Sequence, residues 1–234
     1  MIAASMERTH TDRAYEAELR ELKNKLLRMA GLVEAMIESA TTALIEADLG
    51  KARETIDADG AVNALEMETD ELCLVILARR QPMASDLRMI TLAMKMVTDL
   101  ERIGDLAVNI GERVIAMAVT PPPAVVERLT RMSEIGQEMI RAAIDAFVAS
   151  DAEKARSVFA RDEVVDLAFR ELTLELEGQM MRDRDFVGRG MHLQACAKFL
   201  ERIADHGTNL AEMVVFQVEG KDIRHPKLAR RADP

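Results

Sequence analysis

A motif of ten residues occurs twice in this chain, one hundred positions apart, and this duplication limits the possible folds more than any other feature of the sequence. Eight of the fifteen residues at positions 100–114 are identical at positions 200–214. Acidic and amide residues recur along with the apolar ones, so the requirements of a core do not account for the whole match. A chain of this kind is expected to contain one structural unit twice. The repeated residues are Leu100, Glu101, Arg102, Ile103, Asp105 and Asn109, followed by Leu200, Glu201, Arg202, Ile203, Asp205 and Asn209.

Six long stretches place apolar residues at three- and four-residue spacing, the pattern of amphipathic helices. The first predicted helix runs from about 8 to 47, the second from about 51 to 78, and the third from Pro82 to about 119, with proline suiting a first helical turn. Three prolines at 121–123 then interrupt any continuous helix. The helix-forming residues Ala, Leu, Met, Glu and Arg dominate, whereas aromatic residues make up only 3%.

The second half of the chain repeats the first at an offset of 103 in its first two helices and 100 in its third. Lys51-Ala52-Arg53 recurs as Lys154-Ala155-Arg156, and Asp59 recurs as Asp162. The connection before the last helix is therefore shorter, and Gly188 with Gly190 predicts a turn there.

These repeats predict an all-α fold of two tandem, pseudo-repeated three-helix bundles built from six long helices. The first bundle is expected to cover residues 8–120 and the second residues 124–219. A basic tail follows over residues 220–234, and we expect it to be a solvated end.

Charge and hydropathy exclude several classes of function. The net charge of −10 argues against nonspecific nucleic-acid binding, which requires clustered Lys and Arg. No stretch approaches 18 uncharged apolar residues and no signal sequence is evident, so we expect a cytoplasmic protein without direct membrane insertion. Cys73 and Cys196 lie in apolar stretches far apart in the sequence, and we expect buried free thiols.

The repeated polar residues share one narrow face of each predicted helix. At about 100° per residue, Glu101, Asp105, Asn109 and Glu112 span an arc of about 80°, opposite the apolar residues. The corresponding second-half set is Glu201, Asp205, Asn209 and Glu212. Acidic and amide residues also share an arc on the neighbouring helices, at Asp59, Asn63, Glu66 and Asp70 and at Asp162 and Asp166.

Two interpretations of these acidic stripes remain open at this point. One is the solvated polar face of an ordinary surface helix. The other is a metal site, because like charges at i and i+4 disfavour a helix and yet both copies keep them. Oxygen ligands suit Mg, Mn, Ca or oxo-bridged iron. Zn fits less well without His or Cys in the stripes, although His206 adjoins Asp205. Because the acids lie opposite the apolar stripe, a surface site is expected.

An enzyme is not expected. The sequence has no nucleophile elbow, no phosphate-cradling glycine loop, and only scattered histidines. A metal-storage or carboxylate-bridged di-iron redox protein is the alternative, but it would need paired Glu-x-x-His motifs, and the only such spacing joins Glu7 to His10. A purely structural helical scaffold is a third possibility.

The chain resembles the PhoU family of phosphate-transport regulators over nearly its whole length. The resemblance rests on the duplicated three-helix layout, both Leu-Glu-Arg-Ile-x-Asp motifs and the segment from Arg79 to Arg88, which reads Arg-Arg-Gln-Pro-Met-Ala-Ser-Asp-Leu-Arg. It implies a cytoplasmic, non-enzymatic negative regulator of the phosphate-starvation (Pho) response. Its partners would be the ATPase subunit of the Pst phosphate transporter, a PhoR-type histidine kinase and, as a homodimer, a second copy.

The resemblance also implies metal ligands, because some PhoU proteins bind metal clusters at repeated Glu/Asp-x-x-x-Asp motifs. Asn63 stands where the family pattern has an acid, so we expect the second site to hold metal if only one does. The metal could be iron, Mg, Mn or Zn. The residues implicated are Glu101 and Asp105 with Asp59 and Asn63, and Glu201 and Asp205 with Asp162 and Asp166.

Overall fold

The computed structural model describes the backbone of residues 2–221 and 223, and the side chains from residue 13 onward. Its regular structure is entirely helical across these residues, which confirms the all-α prediction and the six long helices. The last residues of the predicted basic tail, together with Asp222, lie outside the described part. The helices are α1 (Ile2–Glu46), α2 (Leu49–Arg80), α3 (Ala84–Met117), α4 (Pro123–Ala149), α5 (Ala152–Arg156), α6 (Phe159–Arg182) and α7 (Val187–Glu219).

Helix boundaries follow local capping chemistry. The Asp48 carboxylate accepts hydrogen bonds from the backbone N–H groups of Gly50 (2.8 Å) and Lys51 (3.1 Å), which fixes the start of α2. The proline run ends α3 as predicted, and Pro123 occupies the first turn of α4.

Three details differ from the sequence-based boundaries. Helix α3 starts at Ala84, so Pro82 lies in the preceding connection. Gly188 and Gly190 belong to the first turn of α7, and the turn itself occupies residues 183–186. The fifth predicted helix is broken after α5, where the Ser157 hydroxyl donates to the Lys154 carbonyl (2.7 Å) and competes with helical hydrogen bonding.

The two halves form three-helix bundles that share one continuous hydrophobic core. Helices α1, α2 and α3 pack together, as do α4, α6 and α7, and the halves meet where α3 packs on α7 and α1 on α4. Leu100, Ile103, Leu200 and Ile203 of the repeated motif are all buried. Their burial confirms that the apolar half of the motif builds the core.

Polar contacts also join the halves. The His206 ring nitrogen Nδ1 lies 2.6 Å from the Asp99 carboxylate, which links α7 to α3. On the α1–α4 side, the Thr41 and Ser133 hydroxyls are 2.8 Å apart and buried. The junction is thus specified by hydrogen bonds as well as by apolar packing.

Close backbone approach brings α2 against α3. A Cβ on Gly111 would lie 3.0 Å from the Ala52 carbonyl oxygen, so a larger residue would push the helices apart. This approach is what allows acids on α2 to face acids on α3.

The cysteine prediction is confirmed, since Cys73 and Cys196 are both buried free thiols. Burial raises the pKa of each thiol to about 12, and neighbouring charges contribute less. Of the helices in the described residues, none is long and apolar enough to cross a membrane.

Candidate metal-binding grooves

Acidic side chains from adjacent helices meet in two grooves, one in each half. The N-terminal acidic cluster lies between α2 and α3, and the C-terminal acidic cluster lies between α6 and α7. Within each cluster the carboxylates are close enough to perturb one another's ionisation. The N-terminal cluster consists of Asp59, Glu66, Asp70, Glu101 and Asp105, and the C-terminal cluster of Asp162, Asp166, Glu201 and Asp205.

Buried oxygen atoms without partners mark the α2 side of the N-terminal cluster. The Asn63 amide nitrogen donates to Asp59 Oδ2 at 2.7 Å. Asp59 Oδ1, Asn63 Oδ1 and Asp70 Oδ1 are nevertheless buried without any hydrogen-bond partner. An unsatisfied buried acceptor costs free energy, so these atoms are poised to accept a donor or a cation.

Ionisation in the N-terminal cluster is disfavoured. Burial is the main cause of the raised pKa of Glu101, followed by the charge of Asp105, whereas Arg102 lowers it. The pKa of Glu66 is raised by burial and then by Asp70, with a smaller contribution from Asp105 on the facing helix. The Arg102 guanidinium lies 3.6 Å from Glu101 and 3.3 Å from Asp105, so it offsets part of this repulsion.

The largest pKa shift among these acids occurs in the C-terminal cluster. Burial raises the pKa of Asp205 to about 6, and the charges of Glu201 and Asp162 add to the shift. The pKa of Asp162 is also raised, first by burial and then by Asp166. Repulsion between neighbouring carboxylates therefore adds to the effect of burial in this groove.

A lysine occupies one side of the C-terminal cluster. The Lys198 ammonium lies 2.6 Å from Glu201 Oε1 and also sits over the Phe169 ring, 5.2 Å from its centroid. This ammonium holds Glu201 against α7 and lowers the pKa of Asp205. Any cation entering the groove would compete with Lys198 for Glu201.

The sequence-based expectation of an outward acidic stripe was wrong for its central residues. The side chains of Glu101 and Glu201 are only 18% and 12% exposed, because the neighbouring α2 and α6 cover them. Asp105, at 41% exposed, does face solvent. The site is therefore a pair of interhelical grooves and not an open helical surface.

The eight predicted ligands lie four in each half, and Glu66 and Asp70 lie beside the first four in the N-terminal cluster. Both lie on the same helical arc as Asp59 and Asn63, but the ligand set implied by the resemblance to the PhoU family does not include them. The geometry of α2 could have indicated them, since Glu66 lies seven residues after Asp59, two helical turns along one face.

Oxygen donors in a partly dehydrated groove fit the chemistry of a hard cation. No three His, Cys, Asp or Glu side chains among the described residues converge in a geometry suited to a metal ion, so binding would require side-chain rearrangement. His206 does not join the carboxylates beside it, because its Nδ1 is engaged with Asp99. The available set therefore consists of carboxylates and one amide, without nitrogen ligands.

The fold and grooves define a class of protein: an all-α pseudo-dimer of three-helix bundles, each with an acidic groove beside its third helix. The sequence matches the PhoU domain family over residues 26–114 and again over 129–214, one match for each half. The chain belongs to the PhoU family.

Characterised relatives support this assignment along most of the chain. A phosphate-specific transport system accessory protein PhoU homolog from Pseudomonas putida is 41% identical over 223 residues, covering 94% of this chain and 87% of the relative. A homolog of the same name from Rhizobium meliloti is 37% identical over 216 residues, covering 92% and 91%.

Solved structures agree with the fold. The crystal structure of PhoU from Pseudomonas aeruginosa superposes with a TM-score of 0.84 at 39% identity, covering 88% of this chain and all of that one. The phosphate transport system regulatory protein PhoU from Streptococcus pneumoniae gives a TM-score of 0.82 at 29% identity, covering 89% and 99%.

Proposed function

We propose that this protein is a cytoplasmic, non-enzymatic regulator that represses the phosphate-starvation response. It would act as an adaptor between the ATPase subunit of a phosphate transporter and a sensor histidine kinase. The observation that carries this proposal is the match to the PhoU family across both halves, together with relatives that are named as phosphate-transport accessory proteins. The absence of recognisable catalytic motifs in the sequence is consistent with a role in binding.

The acidic grooves are proposed to bind metal cations through Glu101, Asp105, Asp59 and Asn63 in the first half. The equivalent ligands of the second half are Glu201, Asp205, Asp162 and Asp166. Support comes from the raised pKa values of Glu101, Asp162 and Asp205 and from the unpartnered oxygens of Asp59 and Asn63. Iron, Mg, Mn and Zn all remain candidates, and the oxygen-only donor set favours the harder ions.

Neutralisation of the grooves provides a physical link between cations and partners. In the metal-free protein, repulsion among the carboxylates opposes close packing of α2 on α3 and of α6 on α7. Bound charge would remove that repulsion and alter the potential that an approaching protein meets. The residues of this chain that transmit the effect are the acids that face each other across each groove.

A homodimer is proposed to form through α6. Leu167, Leu174 and Met181 recur every seven residues on its outer face and are 52%, 69% and 82% exposed. A second copy of the same helix would cover this apolar stripe, since exposed side chains at seven-residue spacing lie on one face of a helix. Leu174→Glu should give a monomer by light scattering, whereas Glu54→Gln, which changes an exposed acid on α2, should leave the mass unchanged. A wild-type monomer would contradict the proposal.

The regulatory role can be tested by complementation. A host that lacks its own PhoU and carries a phosphate-starvation reporter should be repressed in phosphate-rich medium when this chain is expressed. Continued reporter expression, with the protein present at normal levels, would count against the role.

Variants of the second groove test whether the regulatory role depends on cation binding. Glu201→Gln with Asp205→Asn should weaken repression if cations shape the partner surface, whereas Glu177→Gln should not. Full repression by the double variant would be consistent with the adaptor role and would show that this role does not require cation binding at the second groove.

A further inference from the structure

The outer face of α2 exposes large apolar side chains to solvent. Met67 is 73% exposed and Leu74 is 57% exposed. They lie seven residues apart, so they share one side of the helix and are separated by about 10.5 Å along its axis. Together with Ala64 they line a shallow depression, and none of the eight proposed metal ligands belongs to its lining. Exposed apolar side chains that cluster in this way are a feature of interaction surfaces.

A second depression extends this surface from α2 across α3 to α7. Met94 and Met213 line it, and Asp70 borders both depressions. Three of the four large apolar side chains in the two linings are therefore methionines, the fourth being Leu74. The unbranched, polarisable methionine side chain adapts to the shape of an apolar partner.

The charge along the exposed face of α2 has a single sign. Residues 54–78 of this helix include seven acidic residues and no basic residue. Glu68 is paired with Lys25 of α1 at 2.6 Å, whereas Glu71 is exposed and lines the first depression. Lys95 is the only basic residue that lines either depression. An occupant of this surface must therefore bring positive charge together with apolar side chains.

The outer face of α6 is also apolar but has a different pattern of charge. Helix α6 contains six acidic residues and three basic residues, Arg161, Arg170 and Arg182. Two copies of α6 can therefore offer opposite charges to each other, whereas two copies of α2 would bring acidic residues together. The same acids repel the phosphates of nucleic acids and of anionic membranes. The charges on α2 thus favour a basic segment of another protein.

We propose that the outer face of α2 binds a basic amphipathic helix of another protein. Its apolar residues would cover Met67 and Leu74, and Lys or Arg side chains on its flanks would pair with Glu71 and Asp70. A helix packed along α2 matches the two-turn separation of Met67 and Leu74, and the described part of the chain contains no strand whose edge could pair with an extended peptide. Which protein supplies the helix rests on the proposed adaptor role, but the chemistry of the surface does not.

A synthetic peptide tests the surface. A peptide of leucine and lysine, about 20 residues long so that it can form a helix, would carry its leucines at three- and four-residue spacing. It would be titrated into the full-length, EDTA-dialysed protein and followed by fluorescence anisotropy. We expect one peptide to bind per chain, and a peptide of the same composition without that spacing to bind at least tenfold more weakly. Equal binding of the two peptides would show that charge alone attracts them and would overturn the proposal.

Variants on the two outer helices locate the binding face. Met67→Ser with Leu74→Ser should weaken binding of the leucine–lysine peptide at least tenfold. Leu167→Ser with Leu174→Ser, which changes exposed apolar residues on α6, should change it less than twofold. Circular dichroism would establish that each variant is folded. Unchanged binding in the folded α2 variant, or an equal loss in the α6 variant, would overturn the assignment to α2.

Charge variants test the second requirement of the surface. Glu71→Gln should weaken peptide binding about threefold, whereas Glu54→Gln, which removes an exposed acid of α2 outside the depressions, should leave it unchanged. Equal effects of the two variants would contradict the role of Glu71.

The basic tail of the chain is the competing occupant. Replacing Lys227, Arg230 and Arg231 with Gln in the full chain should leave the peptide affinity within twofold of the wild type. A tenfold gain would assign the face to the tail and overturn the assignment to another protein. Repression in the complementation assay without peptide binding would reject this surface while supporting the adaptor role.

Discussion

The two acidic clusters occupy equivalent grooves but are built from different residues. Asn63 on α2 corresponds to Asp166 on α6, whereas Glu66 corresponds to Phe169 at the same offset of 103. On the third helix of each half, Thr98 corresponds to Lys198. The N-terminal cluster thus has five acids beside Arg102, and the C-terminal cluster has four acids beside a lysine that is clamped to Glu201.

This difference shows that the number of acids in a motif does not by itself determine how well a groove holds a cation. Asn63 weakens the first groove, but Glu66 and Asp70 restore negative charge to it. The second groove has the acid at Asp166 and the raised pKa of Asp205, but Lys198 already neutralises part of it. We retain the prediction that the second groove binds metal more tightly, and the following changes test it.

Removing the repeated acids of the second groove should have the largest effect. Glu201→Gln with Asp205→Asn replaces two carboxylates on α7 with neutral amides, which are weaker ligands for a hard cation, so Mn²⁺ affinity at this groove should fall at least about tenfold. Isothermal titration calorimetry would measure the loss. Glu177→Gln, which removes an exposed acid from α6 outside the cluster, should leave the affinity unchanged. Equal losses in both variants would indicate a general charge effect.

Exchanging Asn63 and Asp166 should reverse the asymmetry of the grooves. Asn63→Asp adds a carboxylate to the first groove and removes the hydrogen bond to Asp59, so cation affinity there should rise by about fivefold while metal-free stability falls. Asp166→Asn should weaken the second groove by a similar factor. Calorimetry with Mn²⁺ would measure both affinities. No rise in Asn63→Asp, or no fall in Asp166→Asn, would contradict the roles assigned to these residues.

Removing the cation that pairs with Glu201 should raise the metal affinity of the second groove, by a smaller factor than the losses described above. Lys198→Gln removes the ammonium that competes for this carboxylate, so cation affinity at the second groove should rise by about two- to fivefold. The exposed Arg202 on the same helix gives a matched control, since Arg202→Gln removes a charge that does not contact Glu201. If the two variants raise affinity equally, the competition assigned to Lys198 is wrong.

The smallest expected effect is on how the stability of the metal-free protein depends on pH. The pKa of Asp205 is raised from 3.8 to about 6, so the folded state binds this proton more tightly than the unfolded chain does. Its stabilising contribution is present below about pH 4 and is lost as pH rises through about 6. After allowance for solvent screening, the loss is about 1 kcal/mol. The free energy of unfolding, measured with urea, should therefore fall between pH 4 and 6 more steeply in the wild type than in Asp205→Asn.

The same titration predicts the reverse trend for cation binding. Ligating carboxylates must be deprotonated, so Mn²⁺ affinity at the second groove should increase as pH rises through about 6. A pH-independent affinity over this range would exclude Asp205 as a ligand.

Much of the fold could be predicted from the sequence because periodicity reports which side of a helix is buried. The burial of Leu100 and Ile103 followed directly from it, and the break after α3 followed from the inability of proline to continue a helix. The helix start predicted at Pro82 and the turn predicted at Gly188 are each displaced by two or more residues in the structure. Proline and glycine occur both in the first turn of a helix and in the connection before it. Local spacing does not distinguish these alternatives.

The candidate site was less predictable, because a helical wheel treats one helix without its neighbours. It assigned Glu101 to an exposed face, whereas α2 covers that face in the folded protein. It also could not indicate that the Lys198 ammonium would contact both the Glu201 carboxylate and the Phe169 ring of α6. Those relations depend on how two helices pack, which the repeat alone does not specify.

Anomalous diffraction from crystals grown with Mn²⁺ would show whether both acidic grooves bind cations. We expect one peak within about 2.0–2.6 Å of carboxylate oxygens in each groove. The peak near Glu201 and Asp205 should be the stronger of the two. A groove without a peak, in crystals with Mn²⁺ bound elsewhere on the chain, would show that this groove does not bind the cation, and two such grooves would exclude the proposed metal sites.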